Sequence, residues 1–281
     1  MDNLTNSIDQ VVEENSLPHE WSKEVLAELK DLGVKNNKRD DLRKIPFVTI
    51  DGKDAKDFDD AVFCEANKDG FVLQVAIADV AEIVEPSSSI DKEALSRGTS
   101  IYFPKRVIPM LPEEISNNLC SLIPNEDRNV LVCKMNFTQE GEINSYDFSE
   151  SIINSHKRFT YNEVEFLKQN KDTNLSADIL YSINALEKLT KKLLQNRSKR
   201  YALEIESSEP TLSFGNGGNI SEIFIPKRLF AHQMIEEAMI SANICAAKFI
   251  KKHLGFGVYR IHEEPEHCLL YTSDAADDGI R

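Results

Sequence analysis

The sequence predicts an α+β fold, a mixed or antiparallel sheet with helices packed on it. Two observations carry that prediction. Short apolar, β-branched runs are joined by tight turns at Asn67–Gly70 and Thr138–Gly141, which reads as hairpins. Two long stretches, 179–199 and 229–254, repeat apolar residues at helical spacing instead.

Residues 1–20 hold five acids and no Lys or Arg, and read as a weakly ordered lead-in. Trp21, Val25, Leu26, Leu29 and Leu32 are spaced for a short amphipathic helix closed by Gly33. Residues 34–44 form a charged linker. Ile45 to Ile50 is a buried strand ending at Asp51, with Gly52 as breaker. Strand pattern returns from Phe63 to Val84, and Pro86 with three serines ends it. IDKEALSRG reads as a helix stopped at Gly98. Residues 99–112, with three prolines, form a loop or edge segment in which Tyr102 and Phe103 lie near Lys105 and Arg106. Such a pairing either anchors the loop or offers bases a stacking surface beside cations.

VLVCKMNF and INSYDFSESII form the second hairpin, and His156, Lys157 and Arg158 lead into Tyr161 and a helix. The 179–199 helix carries a basic face through Lys188, Lys191, Lys192, Arg197, Lys199 and Arg200. That face is either solvated or tracks phosphates. Residues 211–225 form a further hairpin. The 229–254 helix, rich in Ala, Ile and Met, suits burial against a sheet. Its Glu236 is either a surface acid or an acceptor for ribose hydroxyls. Phe256 to Ile261 returns to a strand, and His262 after it reads as a structural or surface histidine.

Composition narrows the function classes. Among 281 residues 28% are charged and 41% hydrophobic, ordinary for a soluble globular protein. The net charge of −14 argues against a general polyanion binder, though not against a local basic channel. No apolar run approaches the ~20 residues that span a bilayer, so no membrane partner is expected. Neither a basic n-region nor an apolar h-region opens the chain. Cys64, Cys120, Cys133, Cys245 and Cys268 are odd in number and widely spaced, which suits reduced thiols in a cytoplasmic protein.

The chemistry concentrates between Asp51 and Asp60. Asp54, Asp57, Asp59 and Asp60 follow within nine residues of Asp51, between two core-forming segments. At about 4 Å, like charges cost roughly 1 kcal/mol in water and about 4 near a protein surface. A solvated turn could spread them, but Phe58 sits in their midst. A hard divalent cation relieves the repulsion, and all-oxygen ligation suits Mg²⁺ or Mn²⁺. A calcium loop is excluded, since counting from Asp51 puts Lys53, Lys56 and Val62 at its third, sixth and twelfth positions.

TIDGKDAKDFDDAV resembles the signature of the RNase II/RNase R family of 3′→5′ exoribonucleases, whose catalytic domain is the RNB domain. LQVAIADV, GTSIYFPKRVIPMLPEEISNNLCSL and MIEEAMISANICAAKFI continue the resemblance in order, over about residues 17 to 266, nearer the RNase R branch. It implies a partial RNB domain over 45–266, preceded by lead-in, short helix and linker over 1–44. Residues 267–281 are expected to be a foreign or disordered tail.

The resemblance implies processive, Mg²⁺- or Mn²⁺-dependent hydrolysis of single-stranded RNA from its 3′ end, releasing nucleoside 5′-monophosphates. The partner is then single-stranded RNA and the protein a monomer. Asp51, Asp57 and Asp60 match metal ligands. Asp59 matches the acid tied most directly to the reactive metal or terminal ribose, so all four serve metal and catalysis. Tyr102 matches the tyrosine stacked on the 3′-terminal base, and Tyr161 and Glu236 match residues contacting RNA and its sugars. The family's second clamp aromatic falls at Ile205, which weakens the clamp. The family's arginine in a T-S-P-I-R-R/K-Y-like motif is expected beyond Arg281, as is its S1-type barrel. The chain alone is therefore expected to be poorly stable and at most a feeble nuclease. The alternatives are a non-catalytic RNA- or metal-binding fragment, or a Mg²⁺-dependent phosphomonoesterase.

Overall fold

The computed structural model describes residues 3–33, 38–167, 175–200, 210–215, 219–259 and 261. The chain divides into two compact units, Met1–Ala242 and Asn243–Arg281. Ile205, His262, Cys268 and the 267–281 tail lie outside the described residues.

Seven strands form the main sheet: β1 (Asp40–Asp41), β2 (Val48–Asp51), β3 (Asp60–Asn67), β4 (Gly70–Ala78), β7 (Asp127–Thr138), β8 (Ile143–Asn154) and β9 (Lys157–Thr160). Their order is β1-β8-β7-β4-β3-β2-β9. Every neighbour pair is antiparallel except β1 with β8 and β2 with β9, so the expected mixed, mostly antiparallel sheet is present. Both predicted tight turns join antiparallel neighbours. At the first, Asn67 faces Gly70, which takes φ 145°; a Cβ there would lie 1.9 Å from the Phe137 carbonyl oxygen. Only glycine lets β7 approach that closely.

Two hairpins stand outside this sheet, β5–β6 (Ile101–Phe103 and Arg106–Ile108) and β10–β11 (Thr211–Phe214 and Ile220–Phe224). The proline-rich segment is thus a short hairpin, turning where Lys105 adopts φ 62°.

The helices are α1 (Asn3–Glu14), α2 (Lys23–Asp31), α3 (Val80–Ile83), α4 (Ser89–Arg97), α5 (Tyr161–Leu167), α6 (Ala177–Lys199) and α7 (Phe230–Leu254). Serine hydroxyls cap α2, α4 and α6 at Ser22, Ser88 and Ser176. Gly98 closes α4 at φ 72°, as its position predicts. One apolar layer gathers Val25 of α2, Phe47, Phe58, Ile90 of α4 and inward residues of β3, β4 and β7. α6 packs on β3 and β4, where its Ser182 hydroxyl accepts from the Cys64 amide at 2.9 Å.

Three expectations are corrected. The lead-in contains α1, because Leu4, Ile8 and Val12 recur at helical spacing and bury against Ile101, Phe103 and Ile108 of the β5–β6 hairpin. The linker is ordered where it meets the sheet. Arg39 is buried there, with Nη2 2.6 Å from Asp79 and 2.8 Å from Glu82, and β1 follows it. Phe256 to Tyr259 form no strand; Phe256 and Val258 are exposed, and among the described residues no neighbour pairs with them. In the N-terminal half of α7, His232 stacks on Tyr161 of α5, and Glu236 and Glu237 meet Arg197 of α6.

Candidate active site

The acidic segment is the connection between β2 and β3. Asp51 ends one strand and Asp60 begins the next, so the antiparallel pairing of Val48 with Val62 brings both ends of the segment together. Phe58 pins the middle, only 9% exposed within the apolar layer. That anchor keeps Asp57 and Asp59 from drifting into solvent.

The backbone of the segment is clasped from three sides. The buried Ser121 hydroxyl donates to the Lys56 carbonyl at 2.8 Å and accepts from the Phe58 amide at 3.0 Å. Leu122 donates its amide to the Phe58 carbonyl at 2.9 Å, and Ala78 to that of Asp59 at 2.9 Å. Arg158 of β9 donates from Nη2 to the carbonyls of Gly52 at 2.6 Å and Lys53 at 3.0 Å.

Electrostatics mark this as one charge cluster. Burial, then the neighbouring Asp60 charge, pushes Asp51 up to about 7, against the partial relief of Arg158. Burial and Asp59 push Asp60 up to about 6. Asp59 is raised by lost hydration and by Asp57, although its side chain opens onto a cleft. Oδ2 of Asp51 is buried with no hydrogen-bond partner.

A buried, unpartnered carboxylate oxygen inside a repelling set of acids fits a hard cation. Asp51, Asp57, Asp59 and Asp60 would hold it, since carboxylate oxygens suit Mg²⁺ or Mn²⁺. Among the described residues no three His, Cys, Asp or Glu side chains stand close enough to hold one as they are.

The aromatic residues flank the acids on two sides. Asp57 and Asp59 line a cleft of about 850 Å³ together with Tyr102, Phe103, Lys105 and Arg106. Tyr102 is 71% exposed, while Ile101 and Phe103 on either side of it pack against α1, so strand alternation presents its ring outward. Tyr161 lies near Asp51 and Asp60; burial, then those two charges, raises its phenol. Its ring stacks on His232, with centroids 4.0 Å apart and planes 20° from parallel.

Tyr161 is fixed as the first residue of α5 by a capping box. Glu163 accepts from the Thr160 amide at 2.6 Å, and Thr160 Oγ1 accepts from the Glu163 amide at 3.2 Å. Glu236 is not among the carboxylates. Arg197, 3.2 Å away, and Arg228 both engage it, one helical turn beyond His232 on α7.

Sequence reasoning missed Arg158, Ser121 and His232 as parts of this site. The T-Y-N-E pattern at 160–163 is a capping-box signal from which the placing of Tyr161 could have been read. No local pattern signalled Arg158 or Ser121, whose bonds to the acidic segment span 106 and 63 residues.

Comparison with known proteins agrees with this architecture. Ribonuclease R of Vibrio parahaemolyticus is 43% identical over 265 residues, covering 91% of this chain and 32% of its own. Ribonuclease R of Escherichia coli is 42% identical over 285 residues, covering 98% and 35%. The chain thus spans about a third of the length of these relatives. Mycoplasma genitalium RNase R in complex with ribose-methylated single-stranded RNA superposes with a TM-score of 0.91 at 31% identity. That match covers 100% of this chain and 45% of that one. The RNB domain family matches residues 39–272, well over half of the sequence, and the chain belongs to that family.

Proposed function

We propose that this chain carries the carboxylate centre of a 3′→5′ exoribonuclease acting on single-stranded RNA, with Mg²⁺ or Mn²⁺ as its cofactor. The observation that carries the reading is the acidic segment joining β2 to β3, which carries Asp51, Asp57, Asp59 and Asp60 and puts Asp57 and Asp59 in one cleft with the exposed Tyr102. The membership of a family of metal-dependent nucleases supports it. A bound divalent cation supplies charge neutralisation at the phosphodiester and an activated water.

The chain's own residues supply the rest. Asp51, Asp57 and Asp60 bind, and Asp59, opening onto the cleft, lies where an incoming 3′ end would meet the acids. Tyr102 offers a face for the terminal base, and Lys105 and Arg106 beside it offer cations to phosphate. Tyr161, close enough to Asp51 and Asp60 to feel their charges, would contact the RNA beside the acids. The same reading carries processive release of nucleoside 5′-monophosphates by a cytoplasmic monomer.

The test is the fate of 5′-labelled oligo(A) with and without Mg²⁺, for this chain and for Asp59→Asn. Metal-dependent shortening from the 3′ end is expected, feeble in this chain and full in a complete relative, and in both it is lost on Asp59→Asn while RNA binding persists. Equal shortening by Asp59→Asn would overturn the catalytic assignment. The spread of the carboxylates favours one second reading, an RNA-binding module without turnover. Retention of oligo(A) with no shortening at any Mg²⁺ concentration would select it.

A further inference from the structure

Arg158 is placed by the parallel pairing of β9 with β2, where it stands opposite Thr49 and two positions before Thr160, the partner of Asp51. Facing residues of parallel neighbours share a sheet face, and so do residues two apart. Thr49, Asp51, Arg158 and Thr160 therefore lie on one face, at the end of β2 where the acidic segment begins.

The guanidinium makes three contacts that converge on this segment. Its Nη2 donates to two successive carbonyls, Gly52 at 2.6 Å and Lys53 at 3.0 Å, the first turn after Asp51. Its Cζ lies 5.5 Å from the centroid of the Phe58 ring, the apolar anchor of the segment. Its positive charge acts on Asp51 against the field of the other aspartates. Nε of Arg158, Oδ2 of Asp51 and Oγ1 of Thr49 are all buried without a hydrogen-bond partner. A donor, an acceptor and a hydroxyl that can serve as either are thus left over on one face beside the acids.

We infer that Arg158 is a positioning residue for the proposed cation site: it fixes the backbone just after Asp51 and offsets the charge of the acids, holding the carboxylates together before any cation arrives. The inference rests on the proposed function. Arg158 touches neither RNA nor cation in this role and works through Gly52, Lys53 and Asp51. The chemistry asks for arginine there, because a planar, always-charged fork can serve carbonyls and a ring face together. Lysine keeps the charge and one donor group but loses the fork.

The experiment uses the full chain as native protein, Arg158→Gln and Arg158→Lys. Lys53 and Lys56 are exposed within the clasped segment and serve as tryptic reporters. Mn²⁺ binding is read by the loss of the free-ion electron paramagnetic resonance signal. Outer-sphere residues of metal sites typically change metal affinity about 10- to 100-fold.

The expected result is that Arg158→Gln still unfolds cooperatively, is nicked about tenfold faster after Lys53 and Lys56, and binds Mn²⁺ at least about tenfold more weakly. Arg158→Lys should fall between Arg158→Gln and native on both readouts. Native-like nicking together with native Mn²⁺ affinity in Arg158→Gln would overturn the inference. So would a loss of folding shared equally by both variants with Mn²⁺ affinity unchanged in the folded fraction, which marks a general structural role. If Arg158→Gln does not fold, Arg158→Lys decides by the same two readouts. A native chain that binds no Mn²⁺ contradicts the proposed function, while the nicking rates still judge the clamp on the segment.

Discussion

Asp51 and Asp60 are held on neighbouring strands with their proton affinities lifted, Asp51 from 3.8 to about 7 and Asp60 from 3.8 to about 6. An acid whose folded pKa exceeds its unfolded one makes the fold lose stability as pH rises from the unfolded to the folded value. Below the lower value both states are protonated and there is no penalty; above the upper one the penalty is complete. Without divalent cation, these two groups should therefore lower thermal stability progressively between about pH 4 and pH 7. Asp51→Asn should flatten that fall and unfold at a higher temperature than native in chelator at about pH 8. A variant less stable than native under those conditions would contradict the repulsion. Tyr102 makes the opposite case, an aromatic ring left in solvent. Tyr102→Ala should leave the melting temperature unchanged and, made in a complete enzyme, alter the length of the last RNA product, since base stacking is worth about 1–3 kcal/mol. An unchanged product ladder would reduce Tyr102 to an anchor of its hairpin. The crowding of acids into ten residues and the aromatic beside two cations could be read in the sequence because both patterns are local. Arg158, Ser121 and His232 could not, because each acts across the sheet or between helices.

At the scale of elements, the acidic segment depends on a piece of chain far from it. Ser121 follows the π-helical turn Ile115–Leu119, and its hydroxyl serves both Lys56 and Phe58. Ser121→Ala leaves a buried amide and a carbonyl without that partner, which costs about 1–3 kcal/mol. The denaturation midpoint should fall accordingly, and an unchanged midpoint would show that the clasp does not hold the segment. α1 makes a comparable contact with the β5–β6 hairpin through Ile8 and Val12, both buried, and through an Asp9–Arg106 ion pair at 2.6 Å. Ile8→Ala should cost about 2 kcal/mol of stability. No measurable loss would detach α1 from that hairpin. Helices α2, α4, α6 and α7 were readable from apolar period and caps. α1 was hidden because its acids dominated the composition while its apolar residues, one every fourth position, were few. The strand expected from Phe256 failed for the complementary reason. An apolar run with strand-forming residues needs a neighbour to pair with, and among the described residues it finds none.

For the whole molecule, the sheet order puts β2 between β3 and β9, so one strand end is bordered by an acid-bearing strand and an arginine-bearing one. This topology lets a protein of net charge −14 gather carboxylates with an adjacent counter-charge. Among the described residues no helix is long and apolar enough to cross a membrane. Cys64, Cys120, Cys133 and Cys245 are all buried; burial pushes the Cys64 and Cys120 thiols up to about 12 and about 11. The α+β class and the order of its hairpins were legible, while the parallel addition of β9 beside β2 was not, since a crossover of about a hundred residues leaves no local mark. That addition matters most for the site, because it brings Arg158 and Tyr161 to the acids. The central claim is that the segment from Asp51 to Asp60 is a divalent-cation site. It is tested most directly by calorimetric titration of Mg²⁺ into the native chain, Asp51→Asn and Asp60→Asn at about pH 8, where the acids are ionised. Saturable Mg²⁺ binding by the native chain, weakened at least about tenfold in each variant, is the predicted result. Binding of equal strength in all three proteins, or none in the native chain, would contradict it.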